Sequence, residues 1–66
     1  MQIHKFTRIE ADYLQIVCNF SEEESTLFEM RLRNVPLESC AERMNMAVST
    51  VKRLSQDINN KISRVV

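Results

Sequence analysis

Apolar positions recur with a helical period in four stretches of this chain, and each stretch predicts one amphipathic helix. In the first, Ile9, Tyr13, Ile16, Val17 and Phe20 fall at i, i+4, i+7, i+8 and i+11, behind a T-x-x-E capping box formed by Thr7 and Glu10. A helix over about 8–19 follows. Its stripe, Tyr13 included, is expected to be buried against the rest of the chain or a second copy. Ser21 and Glu24 form a second capping box, and Glu22, Glu23 and Glu24 place negative charge where a helix dipole favours it, so a second helix is predicted over about 22–33. Its apolar residues Leu27, Phe28, Met30 and Leu32 spread over more than half its circumference. One neighbour cannot cover that arc, so this helix is expected to lie between the first helix and the remainder.

Asn34, Val35 and Pro36 break the pattern, asparagine suiting a helix end and proline a helix start. Leu37, Cys40, Ala41 and Met44 then mark one face of a short helix over 37–44. Asn45 tolerates the left-handed backbone that closes a helix, and Met46 is expected to plug the corner. Val51, Leu54, Ile58, Ile62 and Val65 carry the last stripe, over about 48–63, with Asn59 and Asn60 weakening its far end. Small Ala41 sits where these last two helices should cross most closely.

The two final helices with their tight corner read as a helix-turn-helix, and the outer side of the second carries Ser49, Thr50, Lys52, Arg53 and Gln56. Hydroxyls, cations and an amide are the groups that reach phosphates and base edges when a helix enters a major groove. The expected class is therefore all-α: a three-helix helix-turn-helix core with an additional N-terminal helix, four helices in one domain over residues 1–66.

Composition supports helices and modest size. The 66 residues include no glycine and one proline, and a chain this short buries only about 60% of its unfolded surface, so dimerisation would help it. Net charge is zero, but it is unevenly placed. Through residue 42 the balance is −4, eight acids against four bases; from Arg43 onward it is +4, five bases against Asp57 alone. The positive end coincides with the outer-face set, where it forms a local footprint for phosphate. No apolar run approaches the roughly 20 residues of a membrane span, and MQIHKF lacks the core of a secretory signal, so a cytoplasmic protein is expected. Cys18 and Cys40 have no framework spacing and read as small buried hydrophobes, and His4 reads as a solvated side chain. With no glycine-rich phosphate loop, no metal-ligand set and one histidine, neither catalysis nor a cofactor is expected.

The run FSEEESTLFEMRLRNVPLESCAERMNMAVSTVKRLSQDINNKI resembles the promoter-recognising region four of sigma factors and the related LuxR-type domains. The likeness is carried by Leu27, Phe28, Arg31, Leu32, Leu37, Ala41, Glu42, Ser49, Thr50, Val51, Lys52 and Arg53. Departures are Pro36 for a capping serine, Asn45 for the turn glycine and Ala47 where a serine caps the recognition helix. What the resemblance implies is a small free-standing transcription regulator, of phage or mobile-element kind. Its fourth helix would read double-stranded DNA through Ser49, Lys52, Arg53 and Gln56, with Thr50 and Arg43 reaching the backbone. A dimer on paired half-sites is expected. The alternative is a protein-interaction module that keeps the fold without binding DNA, with RNA polymerase or a phage or host protein as its partner.

Overall fold

The computed structural model describes residues 5–65, which form four helices and no strand: α1 (Arg8–Val17), α2 (Glu22–Leu32), α3 (Leu37–Met44) and α4 (Val48–Val65). The fold is all-α, with the four expected helices at nearly the expected bounds. Both predicted capping boxes are closed reciprocally. Thr7 Oγ1 accepts from the Glu10 N–H while Glu10 accepts from the Thr7 N–H, and Ser21 and Glu24 repeat the exchange. His4 lies outside the described residues.

With no glycine to end its helices, the chain uses asparagine. Asn19, Asn34 and Asn45 hold φ of 52°, 59° and 56°, one after each of the first three helices. After α2, Asn34 N–H donates to Arg31 C=O and Val35 N–H to Met30 C=O; after α3, Asn45 N–H donates to Glu42 C=O and Met46 N–H to Ala41 C=O. Both are Schellman closures, and in each the next residue, Val35 or Met46, packs against the core. Asn19 stops α1 at Val17, two residues earlier than the periodicity predicts. At the other end of the chain α4 continues through Asn59 and Asn60 to Val65, because Ile58 and Ile62 are both fully buried and hold it down.

The core is Leu27 and Phe28 from α2, Cys40 and Ala41 from α3, and Val51, Ile58 and Ile62 from α4, closed at one side by Ala11, Leu14 and Cys18. Helix α2 packs on α3 and α4 and is tied to α1 by side chains: Arg8 donates to both oxygens of Glu29 at 2.9 and 3.2 Å, Gln15 donates to Glu29 at 2.6 Å, and Ser25 donates to Gln15 at 2.8 Å. Phe20 stacks obliquely on Phe28, ring centroids 5.1 Å apart. Glu24, only 5% exposed, accepts from Lys61 Nζ at 2.6 Å as well as from the Ser21 N–H, so one carboxylate joins the start of α2 to the far half of α4.

The first helix departs from expectation. Its apolar stripe faces outward: Ile9 is 83% exposed, Ile16 78% and Tyr13 59%, and Val17 is also exposed. The covered face is instead Ala11, Leu14 and Cys18. Small Ala11 lets α1 approach the core, and Arg8 and Gln15 on the adjoining shoulder make the polar ties to α2, which an outward turn would break. Tyr13 is therefore not a core residue. Phe6, in the stretch without pattern before α1, packs against the core.

Candidate nucleic-acid interface

Because Val51, Leu54 and Ile58 hold α4 down on the core side, the opposite side is fixed outward. Steps of 100° per residue place Ser49, Lys52, Arg53 and Gln56 within an arc of about 100°, over a rise of roughly 10 Å. All four are exposed. Thr50 is exposed on the flank of that arc, and Arg43 is exposed on α3. None of these six side chains takes part in a hydrogen bond or ion pair among the described residues.

Three cations elsewhere, Arg8, Arg31 and Lys61, are already engaged. Arg8 is held by Asp12 and Glu29, which push its basicity up still further; Arg31 donates to the Val35 carbonyl at 2.6 Å; Lys61 is held by Glu24. Arg31 thus closes the end of α2, a structural task. The contrast separates cations that maintain the fold from Lys52 and Arg53, whose donors remain free for an external acceptor.

Where α3 meets the leading turn of α4 there is an open cleft of about 590 Å³, lined by Ala41, Asn45, Met46, Ala47 and Val48 and by two carboxylates, Glu38 and Glu42. Arg43 does not line it. The i, i+4 spacing of Glu38 and Glu42 was legible in the sequence as a shared face; that this face borders the start of α4 was not. The leading turn itself has no side-chain cap. The Ala47 carbonyl accepts from the Thr50 and Val51 N–H groups, and its methyl offers no oxygen to the orphan donors beyond. Past Gln56 the outer arc continues to Asn60 and Arg64, interrupted by Asp57.

Both cysteines are free and buried. Burial pushes the Cys18 thiol up against a small opposing pull from Lys61, and does the same to Cys40 against Arg31 and Arg43. They stay protonated and act as small apolar side chains, as their place in the sequence pattern suggests. No group of three or more potential metal ligands occurs among the described residues, and no helix there is long and apolar enough to cross a membrane.

Fold and surface together define a small all-α domain in which α4 presents a free polar and basic face. Comparison of the chain with models of protein families, with curated proteins and with solved structures finds no match.

Proposed function

We propose that this domain is a DNA-binding transcription regulator of helix-turn-helix type, acting in the cytoplasm and without enzymatic activity, with the first half of α4 as its recognition helix. The observation that carries the reading is the free arc of Ser49, Lys52, Arg53 and Gln56, held outward by a buried stripe and engaged by nothing else among the described residues. Arg53 or Lys52 would read guanine, Gln56 adenine, and Ser49 and Thr50 the phosphates. The likeness of residues 20–62 to sigma region four supports the same assignment. Arg43 is the weakest member of the set, since Glu38 and Glu42 rather than Arg43 flank the start of α4.

The test is a fluorescence anisotropy titration of the protein into a pool of random duplexes at low salt. Wild type is expected to bind, and Lys52→Ala with Arg53→Ala to weaken binding and reduce the slope of log K against log salt by about one for each of the two that neutralises a phosphate. Absence of binding, or a double variant that binds as well as wild type, overturns the proposal.

A second reading is favoured by the two carboxylates beside the uncapped start of α4, which repel phosphate. On that reading the same face meets a protein, with RNA polymerase the first to test. Titration against the purified enzyme separates the two: binding that survives nuclease treatment and is lost in the double variant supports the protein partner, and no binding counts against it.

A further inference from the structure

The outward face of α1 plays no part in the proposed DNA contact. Ile9, Tyr13, Ile16 and Val17 all stand on its solvent side, within an arc of about 100° that contains no charged residue. The charges bordering this arc are satisfied within the helix: Glu10 accepts from the Thr7 N–H at 2.9 Å, and Asp12 is held by Arg8 at 2.6 Å. Together the four side chains present apolar surface on the order of 500 Å². That is about a tenth of the 4481 Å² total and near the upper end of what a monomer usually leaves in water.

The chemistry of the face narrows what covers it. A membrane-surface helix needs cations along its polar side, and the one cation of α1, Arg8, is committed to Asp12 and Glu29. A nucleic acid finds no donor in the arc, and a charged protein surface finds nothing to pair with. An equally apolar, uncharged helix face fits, and a second copy of the chain carries one.

We propose that α1 is the seam of a two-fold homodimer in which the outer faces of two copies pack antiparallel. The apolar run from Ile9 to Val17 is centred on Tyr13, so the axis passes beside Tyr13 and sets Ile9 of one copy against Val17 of the other. Two such faces bury at most about 1,000 Å², below the range of stable specific interfaces, which makes the dimer weak and concentration-dependent. This seam does not rest on the DNA reading and holds whatever α4 contacts.

Sedimentation equilibrium over a micromolar to millimolar range tests it. Wild type is expected to rise from 7.8 kDa towards twice that mass. Ile16→Glu, a change on an exposed position, is expected to stay monomeric throughout while keeping the wild-type far-UV circular dichroism, and Tyr13→Lys serves in its place if that variant fails to fold. Val65→Lys, on the exposed apolar end of α4, is expected to dimerise like wild type. The proposal is overturned by a wild type that remains at 7.8 kDa, by α1 variants that dimerise undiminished, or by Val65→Lys being the change that abolishes association.

Discussion

Asn19, Asn34 and Asn45 stand where most chains place glycine, in a backbone region that disfavours side chains other than asparagine and aspartate. Two of the three helix ends were visible in the sequence, because Asn34 and Asn45 interrupt the apolar period. Asn19 was hidden: Phe20 continues the period of α1 across it, and only the bend of the chain shows that Phe20 belongs to the contact with Phe28 on α2. At Asn45 the left-handed turn sets how α4 leaves α3. Asn45→Ala is expected to destabilise the fold by about 1 kcal/mol, while Asn45→Gly leaves stability near wild type, since glycine takes positive φ freely. Urea unfolding of the two variants checks this. Equal losses in both would mean that the asparagine side chain, and not the backbone, does the closing.

Among the elements, α4 is the one that local chemistry supports least at its start and tertiary packing supports most at its end. Ala47 supplies only a carbonyl, whereas Ile58 and Ile62 are fully buried and Lys61 is tied to Glu24. Supplying the missing oxygen should therefore matter: Ala47→Ser is expected to raise stability by about 0.5 to 2 kcal/mol, read as a higher thermal midpoint. No gain would indicate that the leading turn already finds its partners elsewhere. The contrast between α1 and α4 also shows what periodicity can decide. Both stripes were legible, but the stripe of α4 is its docking face and the stripe of α1 is not. For α1 the polar ties of Arg8 and Gln15 to α2 and the small size of Ala11 chose the covered side, and hydrophobic period alone carries neither piece of information.

For the whole molecule, stability is coupled to acid through two carboxylates that bridge elements. Burial pushes Glu24 up, but the Lys61 ammonium and the Ser21 cap more than reverse it, leaving Glu24 below its ordinary value; Glu29 is lowered by Arg8 and Gln15. A carboxylate more acidic in the folded than in the unfolded chain stabilises fully above the unfolded value, about 4.3, and loses that contribution as pH falls through the folded one. Urea midpoints are thus expected to drop as pH falls below the unfolded value, and to drop less in Glu24→Gln and Glu29→Gln. Parallel curves for wild type and variants would refute the assignment. At this scale the charge count pointed to the region only in part: of the five cations from Arg43 onward, Lys52 and Arg53 lie in the free arc of α4, while Arg43 stands on α3 and Lys61 is tied to Glu24. The neighbouring carboxylates Glu38 and Glu42 were not legible, because their place beside α4 depends on how two helices meet at Asn45.

One unbroken helix, α4, is about 27 Å long against a longest molecular extent of 28 Å, clamped near its far end by Glu24 and Lys61 and exposed over its first three residues. The aim of Lys52 and Arg53 is set twice over, by Val51 and Leu54 packed beneath them and by the clamp about two turns further on, so both supports must loosen before that face swings away from its bearing.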